Sequence, residues 1–346
     1  MHLFLFLLLF YIKYCIILDE VIDLYGYNIF HEKLMHTLLL SVREHRNANT
    51  YIFEGPSGLG KHDAALLFAK ALVCNDTDHA PCCDCTACNE AQSGSHPDIL
   101  VMSSPKDKAT IGVEPIRDMI MQSLVKPFYN RHKVFIINDG DALTTQAQNT
   151  FLKIIEEPPE YAVFIIVCTN ALSLLETVRS RSVTITFPPV SDAEIKNYIA
   201  TQYPSETRID FLVRYSMGIP GYVDNIIARE DFETLREDVL NIIPRLLSKN
   251  KLHAFDVSSF IDEHKDNASE VYDMMMMYLR DAICYASGRP DKVINTDKTE
   301  KISILATRYD TRVLVRAIDE LMLAKKMLER YVKASATALH AALSIM

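Results

Sequence analysis

From Asp19 to about Pro188 the chain alternates short apolar runs with stretches whose apolar residues recur at helical spacing, the mark of an α/β layer fold. Tyr51-Ile52-Phe53-Glu54 reads as a short strand running into a glycine loop, and His62 to Val73 follows with Ala65, Leu66, Ala69 and Leu72 at helical spacing. Val134 to Ile137 and Val163 to Val167 are continuous apolar runs, which suits parallel strands covered on both faces. Val183 to Phe187 reads as a further strand, closed by Pro188-Pro189. Beyond the prolines the pattern is helical only. Asp192 to about Ala228 forms a small unit around the turn Gly218-Ile219-Pro220-Gly221. Glu230 to Met346 carries longer amphipathic helices, the last with Leu314, Ile318, Leu321, Leu328 and Val332 on one stripe, and Met274 to Met277 reads as gap-filling core. The expected organisation is an α/β domain over 19–188, a parallel sheet with helices on both faces, then a helical unit over 189–229 and a helical domain over 230–346.

Met1 to Leu18 stands apart, almost wholly apolar and broken by Lys13. It is borderline for a span, which needs about 20 apolar residues. It also lacks the basic start and small-residue cleavage site of a secretory signal. We read 1–18 as an extension foreign to the fold, in preference to a membrane anchor or a signal peptide, because everything downstream reads as cytoplasmic.

The loop Gly55-Pro56-Ser57-Gly58-Leu59-Gly60-Lys61 fits GxxxxGK between a strand and a helix. Glycines let backbone N–H groups turn toward phosphate, the helix N-terminus adds positive potential, and the lysine neutralises terminal phosphates. Two departures weaken a catalytic reading. A working loop follows the lysine with Ser or Thr to hold magnesium, and here stands His62, a poor ligand for a hard cation. The strand from Val134 should end in a metal-holding Asp followed by a second acid, and it ends in Asn138-Asp139. Both protein contacts to magnesium are compromised together, so the expectation is a loop kept and hydrolysis lost. Thr169-Asn170 ends the next strand, a position suited to a polar group facing a γ-phosphate.

Composition adds two constraints. With 49% hydrophobic and 23% charged residues the 346-residue chain is globular. Its 36 basic and 45 acidic side chains leave a net charge of -9, the wrong sign for a protein that coats nucleic acid. Any DNA contact is therefore local or shared with other subunits. Cysteine usage is concentrated: Cys74, Cys82, Cys85 and Cys88 stand at C-x7-C-x2-C-x2-C, with Cys83 adjacent. Four thiolates at that spacing suit a closed tetrahedral zinc site, with Cys83 not among the ligands. Between Lys70 and Lys106 there is no Lys or Arg, so the 74–88 module reads as a structural insertion and not a reader of nucleic acid. Ser180-Arg181-Ser182 lies at a helix–strand junction; from composition alone Arg181 reads as a surface charge, the alternative being a finger that reaches a neighbouring subunit's nucleotide.

Taken in order, these segments resemble the clamp-loader family of bacterial DNA polymerase III, of the AAA+ class. The resemblance is carried by Gly55 to Lys61, the four-cysteine insertion, His96-Pro97-Asp98, Gln146 to Pro159 (QAQNTFLKIIEEPP), Thr169-Asn170 and Ser180 to Ser182. Family members carry SRC where this chain has SRS; the arginine is kept. Within the family His62, Asn138, the Gly218 to Gly221 pattern and Tyr278-Leu279-Arg280-Asp281 look like the stator subunit. The alternatives are the gamma/tau motor subunit and, in a different class, a membrane-anchored P-loop NTPase. The resemblance implies a hetero-oligomer with gamma/tau and delta subunits that opens the sliding clamp and places it on primed DNA. It implies structural Zn2+ on the four cysteines, a site that binds ATP or ADP weakly or without turnover, and Arg181 completing the adjacent motor subunit's ATP site.

Overall fold

The structure, a computed structural model, describes residues 30–104, 110–129 and 131–345. The apolar run Met1 to Leu18 lies outside them. The described chain forms two compact units, one reaching to Ile195 and including Gly218–Gly221, the other holding Lys196–Met217 and Tyr222–Met346.

In the first unit the elements run α1 (Glu32–Arg43), β1 (Thr50–Glu54), α2 (Lys61–Val73), α3 (Thr86–Gln92), β2 (Ile99–Met102), α4 (Val113–Ser123), β3 (Lys133–Ile137), α5 (Thr145–Glu156), β4 (Ala162–Cys168), α6 (Glu176–Arg179) and β5 (Val183–Thr186). The strands form one parallel sheet in the order β2-β3-β4-β1-β5, with Ile52 opposite Ile166 and Phe135 opposite Phe164. The continuous apolar runs have the cause expected of them, because alternate residues feed two cores. Tyr51, Phe53, Val134, Ile136, Val163 and Ile165 pack against α1 and α2. Ile52, Phe135, Ile137, Phe164 and Ile166 pack against α4 and α5. Each such fully buried side chain contributes roughly 1.5–3 kcal/mol by leaving water. α5 begins at Thr144, whose hydroxyl accepts from Ala147 N at 3.2 Å, and it stops before Pro158-Pro159, which cannot continue a helix.

Downstream of β5 the described chain is helical: α7 (Asp192–Gln202), α8 (Ile209–Tyr215), α9 (Pro220–Ile227), α10 (Phe232–Leu246), α11 (Leu252–Glu263), α12 (Ala268–Ala286), α13 (Thr299–Arg308), α14 (Thr311–Glu329) and α15 (Ala334–Ile345). Met274 and Met275 are buried in α12. The stripe read through Val332 is cut short: α14 ends at Glu329, Tyr331 takes a left-handed φ of 62°, and Leu314, Ala317, Leu321 and Ala324 form the buried face. In the second unit, Arg236 is only 1% exposed; its guanidinium meets Asn295 and Asp297 at 2.9 Å and lies 3.7 Å from the Phe211 ring centroid. Asp281, fully buried, accepts from the N–H groups of Ile294 (3.0 Å) and Asn295 (2.8 Å). Buried charges persist only when partnered in this way. No helix among the described residues is long and apolar enough to cross a membrane.

Candidate functional site

β1 delivers the chain into the glycine loop at the carboxyl edge of the sheet, where ligands of open α/β sheets bind. Gly55 has φ +148°, and a Cβ there would stand 2.4 Å from the Phe187 carbonyl oxygen, so the turn admits glycine alone. Gly60, at φ 72°, leads directly into α2, while Leu59 is buried beneath the loop and Pro56 and Ser57 are exposed. Lys61 is 6% exposed, and its ammonium donates to the carbonyls of Gly55 at 2.5 Å and Pro56 at 2.6 Å. Burial draws its pKa down, against the pull of the Asp141 carboxylate. The loop is also covered from one side: Gly221 N donates to Gly58 O at 3.0 Å, and a Cβ on Gly221 would come within 2.7 Å of Gly58 Cα.

The two departures from a magnesium site meet each other. His62 Nδ1 lies 3.0 Å from Asn138 Oδ1, and Asn138 Nδ2 donates to Ser103 Oγ at 3.1 Å. The amide oxygen's partner is thus an imidazole N–H, a pairing without a carboxylate that offers a hard cation little. Asp139, at φ 53°, turns its carboxylate to accept from Ser104 N at 3.2 Å. The carboxylate that does join the strand ends is Asp141, which pattern reading left out. It accepts from Thr169 N (2.6 Å), Thr169 Oγ1 (2.9 Å), Ser173 Oγ (2.9 Å) and Asn170 N (3.3 Å). Burial pushes its pKa up, but these hydrogen bonds outweigh burial and hold it below the usual carboxylate range. Asn170 caps the following turn, its Oδ1 accepting from Leu172 N at 2.9 Å. Thr169 and Asn170 therefore stand at the same sheet edge as Lys61, His62 and Asn138, braced by Asp141.

The four cysteines converge. The Sγ atoms of Cys74, Cys82, Cys85 and Cys88 all lie within 4.8 Å of one another, and no other group of three or more His, Cys, Asp or Glu among the described residues gathers this way. Four sulfurs at about 2.3 Å from a tetrahedral zinc stand about 3.8 Å apart, so this donor set fits the ion. Local backbone already favours sulfur with negative charge: Cys82 N donates to Cys74 Sγ at 3.3 Å and Cys88 N to Cys85 Sγ at 3.4 Å, the latter as the cap of α3. Hydrogen bonding from the Cys88 thiol draws the Cys74 pKa down, and that of Cys88 is pushed up in turn. Cys83, at φ 65°, is not one of the four, its thiol donating to Pro81 O at 3.5 Å and its side chain hydrogen-bonding with Cys88.

His96 and Asp98 form a buried brace around the exposed Pro97. His96 Nδ1 accepts from Asp98 N at 3.1 Å, and the Asp98 carboxylate, 1% exposed, accepts from Phe128 N at 2.9 Å and Tyr129 N at 3.1 Å. Away from the loop, Arg181 is exposed at the junction of α6 and β5. Its Nη2 meets Glu156 Oε1 at 3.0 Å, and its Nη1 donates to Thr177 O at 3.1 Å.

The DNA polymerase III, delta subunit family model matches residues 30–191, and that of its C-terminal part matches residues 230–335. DNA polymerase III subunit delta' of Bacillus subtilis is 27% identical over 305 residues, covering 87% of this chain and 92% of that protein. The tau subunit of the same organism is 27% identical over 319 residues, covering 83% of this chain and 55% of that protein. Among solved structures, a gamma subunit-related protein of Thermotoga maritima is similar at 16% identity and a TM-score of 0.48, covering 90% of this chain and 98% of that one.

Proposed function

The chain belongs to the DNA polymerase III delta-subunit family of clamp-loader proteins, and from that premise we propose that it is a delta-prime-type stator, a subunit that completes a neighbour's ATP site and does not turn over nucleotide at its own. The observation that carries this reading is the 3.0 Å contact of His62 with Asn138. These residues stand where a working P-loop would put a hydroxyl and a carboxylate on magnesium, and here neither offers an anionic oxygen and the two are committed to one another. With Lys61 folded onto its own loop carbonyls, ATP or ADP binds weakly and without hydrolysis. Similarity to a tau subunit favours a motor reading, but a motor needs the metal contacts this pair replaces.

Arg181 is the group offered outward. A guanidinium stays charged and grips phosphate oxygens through a planar fork, which suits stabilising charge on a γ-phosphate held by the adjacent motor subunit. Its partners on this reading are the gamma/tau and delta subunits, the sliding clamp and, through the complex, primed DNA, all in the cytoplasm. Cys74, Cys82, Cys85 and Cys88 hold one structural zinc, which closes the 74–88 module; Thr169, Asn170 and Asp139 belong to the degenerate nucleotide site. The test is ATP hydrolysis by the purified chain beside a Lys61→Ala variant. No difference between them is expected; magnesium-dependent turnover that Lys61→Ala abolishes would replace the stator by the motor.

A further inference from the structure

Glu156 and Glu157 end α5, the one its last residue and the other its cap. Carboxylates are disfavoured at a helix C-terminus, where the backbone already presents negative charge, so helix stability does not account for the pair. Glu156 has a specific use: its Oε1 lies 3.0 Å from Arg181 Nη2. Arg181 Nη1 donates to Thr177 O at 3.1 Å and lies 3.5 Å from Ser180 Oγ, and the backbone at Arg181 is held by its N–H to Val178 O at 3.2 Å. Among the described residues only Nη1 hydrogen-bonds, while Nη2 meets Glu156 as an ion pair, so donors on Nε and Nη2 are available to an acceptor outside the described residues. The side chain is 40% exposed, so the oriented group still faces solvent.

We propose that Glu156 is a positioning residue for Arg181, fixing the guanidinium so that its free donors face the neighbouring subunit's nucleotide. This rests on the reading of Arg181 as a finger acting in trans. A long, exposed arginine otherwise samples many rotamers, and holding it before the encounter removes that ordering cost from the transition state. The carboxylate does not touch the nucleotide. It acts only through the arginine. Glu157, also exposed and adjacent, makes no ion pair among the described residues and carries a carboxylate too, which makes it the matched control.

The experiment is clamp-stimulated ATP hydrolysis by the reconstituted loader carrying Glu156→Gln, Glu156→Asp, Glu157→Gln, Arg181→Ala or Glu156→Gln with Arg181→Ala, after thermal melting and gel filtration confirm folding and assembly. Glu156→Gln should lower kcat by up to about fivefold with KM for ATP unchanged, the range expected from losing one exposed ion pair. Glu156→Asp should recover part of the loss, Glu157→Gln should match wild type, and Glu156→Gln should add nothing in the Arg181→Ala background. If Arg181→Ala is slow but Glu156→Gln is normal or faster, the positioning role is overturned and the finger stands. If Arg181→Ala itself is normal, the finger reading falls and the positioning role falls with it.

Discussion

Asp98 anchors the chain between α4 and β3 by accepting from two backbone N–H groups, Phe128 N at 2.9 Å to each oxygen and Tyr129 N at 3.1 Å. Asp98→Ala leaves both donors without the carboxylate in a partly buried place, while Asp98 N and O keep their bonds to His96 and Val134. Hydrogen bonds to a charged group contribute about 1.5–3 kcal/mol each, and water recovers part of that at the rim, so the expected loss is about 2–4 kcal/mol. For a unit of this size that lowers Tm by about 5–15 °C. Asp98→Asn keeps the shape and one accepting oxygen, and should lose roughly half as much. The assay is thermal unfolding followed by circular dichroism, with amide exchange read at Phe128 and Tyr129. Exchange there should rise well before exchange in β3. Melting of Asp98→Ala within about 2 °C of wild type, with those two amides unchanged, would refute the anchor.

Cys88→Ser should reduce bound zinc from about one per chain to well below that and destabilise the module, whereas Cys83→Ser should retain the metal, as atomic emission and melting would show. Loss of metal in Cys83→Ser alone would identify the wrong thiol as spectator. Glu206, hydrogen-bonded to the Arg208 guanidinium, is held down to about 2 from 4.5. A lowered folded pKa stabilises fully above the unfolded value and loses that stability as pH falls through the folded one, so this contribution, at most about 3 kcal/mol, should fade between about pH 4.5 and pH 2. Glu206→Gln should flatten the acid limb of the stability curve; an unchanged limb would contradict the assignment.

Much of the first unit was legible because its strands are fed by two cores. β1, β3 and β4 read as continuous apolar runs, since alternate residues such as Ile136 and Ile137 enter different cores. β2 was missed: four residues at the sheet edge, with Val101 48% exposed, leave little pattern to read. The phosphate-loop residues and the four cysteines were legible because their spacing is local. What was not legible depends on distance along the chain. Asp141 reaches Thr169 across 28 residues, Asp98 reaches Phe128 across 30, and His62 meets Asn138 across 76. Sequence identified His62 and Asn138 as substitutions one by one; only the fold shows that they bond to each other. Glu156 was visible as part of EEPP, but nothing in its spacing pointed to Arg181.

The central claim is that this subunit's contribution to ATP hydrolysis is made in trans and not in its own loop. The most direct measurement is clamp-stimulated ATP turnover by the loader reconstituted with either Lys61→Ala or Arg181→Ala in this chain alone. The account predicts wild-type turnover with Lys61→Ala and a clear loss with Arg181→Ala. The reverse pattern, loss with Lys61→Ala and wild-type turnover with Arg181→Ala, would contradict it.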